Sequence, residues 1–177
     1  MKLPPCFAAI ATALVLASPL SQAAMPGAGD RAPDLLGKRL NDDKVLVSQY
    51  AGKVVVVSFW ATWCTYCLKE LPILEGLQKV AGKDRVEVIA VNTEDSDTLR
   101  RVSRKLKDFT MGLAYDPGKA AATAYGVKGI PHLVIIGRDG VIVQVYRGYG
   151  EETLDRIVGD INAAVAAAPP AATGAAP

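Results

Sequence analysis

Cysteine, histidine and large aromatic residues are scarce in this chain of 177 residues, which holds three Cys, one His, two Trp and three Phe. A closed structural zinc site needs four ligands, usually in paired Cys or His motifs. Cys6, Cys64, Cys67 and His132 are too few and too scattered to make one. Three cysteines are also too few for a disulfide-rich scaffold. Charge of one sign is lacking as well, with 20 Lys+Arg against 18 Asp+Glu and a formal net charge of +2. That balance gives no reason to expect a nucleic acid or an anionic membrane as partner. The apolar run near the start, Phe7 to Ala17, is too short to span a bilayer comfortably.

With Lys2 before that run and Ser21-Gln22-Ala23 after it, residues 1–23 read as a secretory signal peptide rather than a retained anchor. Cys6 precedes the apolar core, the wrong place for a lipoprotein acceptor, and leaves with the leader. Cleavage removes Lys2 and no acid, so the formal charge falls from +2 to +1. The exported chain keeps Cys64 and Cys67, and a single close pair in an oxidising compartment suits catalysis better than scaffolding. Residues 24–29 read as a linker and 30–162 as one domain. Residues 163–177, nearly all Ala, Pro, Gly and Thr, read as a disordered tail with little to bury.

Phe59-Trp60-Ala61-Thr62-Trp63-Cys64-Thr65-Tyr66-Cys67 is the most informative stretch. It joins the apolar run Val54–Phe59, the pattern of a strand covered on both faces, to a segment in which Leu68, Leu71, Leu74 and Leu77 recur at helical spacing. Pro72 should kink this helix without ending it. Two cysteines where a strand feeds a helix make a redox site with a physical rationale. Free N–H groups and the helix dipole stabilise a thiolate at Cys64, and Cys67, one turn deeper, can close the ring. A purely structural disulfide would restrain so short a loop little. A copper(I) site built from Cys64, Cys67 and His132 stands as the metal alternative.

Further along, Val86–Val91 reads as a buried strand. Asp95–Asp108 reads as an amphipathic helix with Leu99, Val102 and Leu106 on one face. The basic run Arg100, Arg101, Arg104, Lys105, Lys107 then falls on its solvated face. Asp116-Pro117-Gly118 is a turn before a short Ala-rich helix to Tyr125. Leu133–Ile136 and Val141–Val145 are strands joined through Arg138-Asp139-Gly140, and a last helix spans about 151–165. The expected class is α/β, a mixed sheet with helices on both faces.

Trp60-Ala61-Thr62-Trp63-Cys64-x-x-Cys67, Lys69-Glu70-Leu71-Pro72 and Gly129-Ile130-Pro131 resemble the thioredoxin superfamily, and within it the exported TlpA/ResA/CcmG-like branch. The leader Ala32-Pro33-Asp34, Gly52-Lys53 and Ala90-Val91-Asn92 fit the same branch. The resemblance implies a thioredoxin-like fold with an N-terminal extension and a helix–strand insertion between Cys67 and Pro131. It implies a periplasmic thiol–disulfide oxidoreductase, more a reductase than an oxidase or isomerase, in which Cys64 attacks and Cys67 resolves. No cofactor beyond the Cys64–Cys67 disulfide is expected.

The resemblance further implies a cis Pro131, with the Ile130 backbone facing a groove where an extended substrate can pair. Trp63, Thr65 and Tyr66 flank that groove, and Trp60 and Trp63 are expected mainly to pack. Partners would be disulfide-bearing proteins and a membrane thiol reductant of the DsbD/CcdA type, with the chain a monomer. Apocytochrome c and copper-site cysteines are family-like substrates, and the residues select neither.

Three positions depart from the common pattern: Thr65-Tyr66 between the cysteines, Ser58 where cytosolic thioredoxins bury an acid, and His132 after the proline. Glu70, three residues after Cys67 on the same helix face, is the candidate replacement acid, against a surface glutamate as the plain alternative. His132 reads as a packed strand residue that could stabilise a thiolate only if its loop abuts Cys64.

Overall fold

The computed structural model describes residues 25–167. The expected signal peptide and most of the expected tail lie outside them. Strand β3 (Val54–Trp60) is an interior strand of a seven-stranded sheet, with all seven of its residues buried. Four consecutive valines favour extended backbone and leave no polar side to turn to water. β4 (Val86–Asn92) lies parallel to β3 on one side, and β6 (His132–Ile136) antiparallel to it on the other. β5 (Gly112–Tyr115) extends the parallel part, and β7 (Ile142–Arg147) pairs with β6 through the expected hairpin.

The N-terminal extension is a hairpin of β1 (Leu35–Lys38) and β2 (Lys44–Leu46) that attaches to β5. Its turn places Asp42 in the left-handed region at φ 66°, a conformation that short polar side chains tolerate. The sheet order is β2-β1-β5-β4-β3-β6-β7. Residues assigned to a linker are partly tied down, since the Gly29 N–H donates to the Ile142 carbonyl at 2.9 Å.

Two hydrophobic clusters sandwich the sheet. On one face, Leu71 and Leu74 of α1 (Thr65–Ala81), Leu99 of α2 (Ser96–Ser103), and Ile157, Ile161 and Ala164 of α4 (Glu151–Ala166) cover Val54, Val56 and Trp60. On the other, Ala121 and Ala122 of α3 (Ala120–Ala124), with Tyr125, Val47 and Leu36, cover Val55, Val57 and Phe59. Each large apolar side chain buried this way contributes roughly 1.5–3 kcal/mol. The strict alternation along β3 decides which side chains meet α1, and therefore what surrounds the cysteines.

Three expectations need correction. α2 stops at Ser103 instead of reaching Asp108; Ser103 Oγ donates back to the Arg100 carbonyl, and tight turns then carry Leu106 and Phe109 onto the core. α4 ends at Ala166, close to the 165 expected for the last helix, so the segment from 163 to 166 belongs to that helix and not to the tail that composition assigned, with Ala164 buried. Trp63 does not pack. It is 71 % exposed, whereas Trp60 is fully buried.

Candidate active site

At the C-terminal end of β3 the chain turns through Ala61–Trp63 into α1. Cys64 is the N-cap of that helix, and its Sγ accepts the Cys67 N–H at 3.1 Å. The helix-start N–H that the Cys64 sulfur satisfies in the disulfide form is in place to stabilise a Cys64 thiolate after reduction. Cys64 and Cys67 form a disulfide with their Cα atoms 5.2 Å apart. Both sulfur residues sit low in the surface, Cys64 7 % and Cys67 1 % exposed. Around them Thr65, Tyr66 and Trp63 are open to solvent. Tyr66 stacks on Tyr149, from the β7–α4 loop, with ring centroids 5.7 Å apart.

Glu70 is not a surface residue. It lies one turn after Cys67, 1 % exposed, on the face of α1 that meets β3. Ser58, the residue standing where a buried acid was missed, donates its hydroxyl to Glu70 Oε1 at 2.7 Å. Burial pushes the Glu70 carboxyl up to about 7, and the Ser58 hydrogen bond pulls weakly the other way. A carboxyl that titrates near neutrality beside a thiol can take up or return a proton at little cost.

Pro131 follows a cis Ile130–Pro131 bond. The β3–β6 register pairs Phe59 with His132, so continuing it sets Pro131 opposite Trp60 and Ile130 opposite Ala61. Cys64 is tied to the same point, its N–H donating to the Ala61 carbonyl at 3.1 Å. The loop and the cysteines therefore share one edge of the sheet. The Ile130 N–H and carbonyl make no backbone hydrogen bond among the described residues. Trp63 and Ile130 line a groove of about 400 Å³ with Val127, Lys128 and Gly129.

His132 is not part of this constellation. Alternation along β6 turns it to the α3 face, edge-on to Phe59 with centroids 6.0 Å apart, away from the face that holds both sulfurs. Neither ring nitrogen has a hydrogen-bond partner among the described residues. Burial, and then the Arg147 charge, lower its pKa to about 4, so the ring is neutral at pH 7. The set Cys64, Cys67 and His132 does not assemble, and the described residues contain no group of three His, Cys, Asp or Glu placed to hold a metal.

Sequence reasoning missed Glu94. Its carboxylate accepts the Thr62 N–H at 2.6 Å and the Thr62 hydroxyl at 2.9 Å, and Asn92 Nδ2 supports it at 3.3 Å. The clasp holds the turn that delivers Trp63 and Cys64. Only the parallel pairing of β3 with β4, which ends at Trp60 opposite Asn92, brings the two segments together.

Residues 28–145 match the AhpC/TSA family. The chain belongs to that family. It is 30 % identical over 129 residues to the thiol-disulfide oxidoreductase ResA of Bacillus thuringiensis subsp. konkukian, covering 73 % of each chain. It is 35 % identical over 123 residues to the thioredoxin-like protein YneN of Bacillus subtilis, covering 68 % of this chain and 71 % of that one. A candidate thiol:disulfide interchange protein DsbE from Chlorobium tepidum superposes with a TM-score of 0.68 at 28 % identity, over 79 % of this chain and 99 % of that one. The fold is thioredoxin-like, and the chain is a thiol–disulfide oxidoreductase of that type.

Proposed function

We propose that this oxidoreductase works in the periplasm as a reductase of protein disulfides. A Cys64 thiolate attacks one sulfur of the substrate disulfide, forming a mixed disulfide and releasing the first substrate thiolate. Glu70 accepts the Cys67 proton, and the Cys67 sulfur attacks Cys64 Sγ. The Cys64–substrate S–S bond breaks, and the second substrate sulfur leaves with the electron pair of that bond and takes up the proton from Glu70. The substrate has gained two electrons, and the protein is left as the Cys64–Cys67 disulfide. A membrane thiol reductant of the DsbD/CcdA type restores the dithiol, and the cysteine pair is the only redox carrier. The protein acts as a monomer, and an extended substrate segment pairs with the free Ile130 backbone beside Pro131, flanked by Trp63, Thr65 and Tyr66.

The observation that carries this reading is the buried Glu70, held by Ser58 one turn beyond Cys67. A proton acceptor at the resolving cysteine serves release of reduced substrate. The location rests on the leader at residues 1–23. Equilibrating the pair against dithiothreitol or glutathione buffers tests the direction. A reductase should lie near the thioredoxin value of about −270 mV, and a value near the oxidising end of about −120 mV would sink the assignment in favour of an oxidase.

A further inference from the structure

A second opening lies beside the start of α1. This cleft of about 760 Å³ runs between the start of α1 and the segment after α2. Leu68, Val102 and Leu106 give it an apolar floor, and Arg101, Arg104 and Lys105 a cationic rim. Leu68 is 45 % exposed, and its N–H donates to the Cys64 carbonyl at 3.1 Å. The cleft therefore begins within one turn of the nucleophile. Arg101 in the last turn of α2, and Arg104 and Lys105 three and four residues on, line the same cleft.

The charges are only partly used within the fold: Arg101 donates to Thr98 Oγ1 at 2.7 Å, and its charge, after the hydrogen bond from the Thr98 N–H, helps to lower the Asp95 pKa. Among the described residues none of the three forms an ion pair, while Asp97 is taken by Arg100 at 3.6 Å. Asp95 caps α2 through the Thr98 N–H. Glu94, the acid in the cleft wall, is occupied by Thr62. Three cations against the single carboxylate of Glu94 leave the cleft cationic, and such a rim over an apolar floor is complementary to an amphipathic, acidic chain.

We infer that this cleft is a docking surface for an acidic segment of the disulfide-bearing substrate, an apolar residue over Leu68 and carboxylates against Arg101, Arg104 and Lys105. The inference builds on the reductase reading by naming a class of substrate. Rim pairs of this kind are individually weak, so a few together amount to about tenfold in affinity, and the gain fades with salt.

Two peptides test it, one with a leucine followed by a run of glutamates, the other with lysines in their place, each with serine for cysteine so that binding needs no redox step. NMR titration of the full-length exported chain should show the acidic peptide binding about tenfold tighter, with shifts at Leu68 and Arg104. The preference should vanish at high salt and in an Arg104→Glu/Lys105→Glu variant, whose exposed sites leave the fold intact. Equal affinities, or a preference that survives in the variant, would overturn the inference. So would variant-sensitive binding to phosphatidylglycerol vesicles without peptide preference, which would assign the patch to a membrane surface. Reduction of hydroxyethyl disulfide, measured in parallel, reports on the redox reading alone. Its absence with the peptide preference intact sinks that reading and leaves the docking surface.

Discussion

Replacing Glu70 by Gln separates two consequences of one buried carboxyl. The group is raised from the ordinary 4.5 to about 7 by desolvation. Each tenfold change in proton affinity is worth about 1.4 kcal/mol, so ionised Glu70 costs the fold about 3 kcal/mol. Below pH 4.5 both folded and unfolded chains hold the proton and nothing is lost. Between 4.5 and about 7 the unfolded chain releases it first, so stability falls as pH rises, and above 7 the full cost is present.

Glutamine is neutral at every pH and can still accept the Ser58 hydroxyl. Denaturant unfolding of the oxidised proteins should therefore show no gain for Glu70→Gln at pH 4 and a gain approaching about 3 kcal/mol at pH 8. The same variant should be the poorer enzyme. Stopped-flow resolution of a mixed disulfide at Cys64 should slow by about 10²-fold, the usual loss for a general base, with initial attack little changed. The wild-type resolution rate should rise with pH through about 7, and that inflection should be missing in the variant. Wild-type resolution in Glu70→Gln would leave the Cys67 proton to water or another group. A pH-independent stability difference would show that the buried carboxyl is not raised.

Ser58→Ala removes the one contact that lowers the Glu70 pKa, so the inflection in the resolution rate should move to higher pH. The rate should drop at pH 7 and recover in more alkaline buffer; a rate lowered equally at all pH values would assign Ser58 to packing. Alkylation of the reduced protein at mildly acidic pH should label Cys64 first, because its sulfur faces the helix-start N–H and the opening. Cys67→Ser should trap mixed disulfides with substrates and Cys64→Ser should not. Equal trapping by the two variants would contradict the division of roles.

The chemistry at Cys64 was determined by the sequence alone because it is local. A valine-rich strand, two cysteines three apart and a helical repeat bring helix-start N–H groups to a sulfur whatever the rest of the chain does. Helix periodicity likewise sets Glu70 on the Cys67 face. Whether that face is buried depends on β3, and only the packed structure places Ser58, twelve residues earlier, against the carboxyl. His132 shows the same limit from the other side. One residue of strand alternation separates the sulfur face from the Phe59 face, and register is set by pairing between distant segments that local pattern does not encode. Glu94 reaches Thr62 across 32 residues through the β3–β4 pairing, and the cationic cleft exists only where α2 and its following segment face Leu68 of α1. In these cases the deciding free energy is burial and pairing between remote segments, which exists only once the sheet and its helices are assembled.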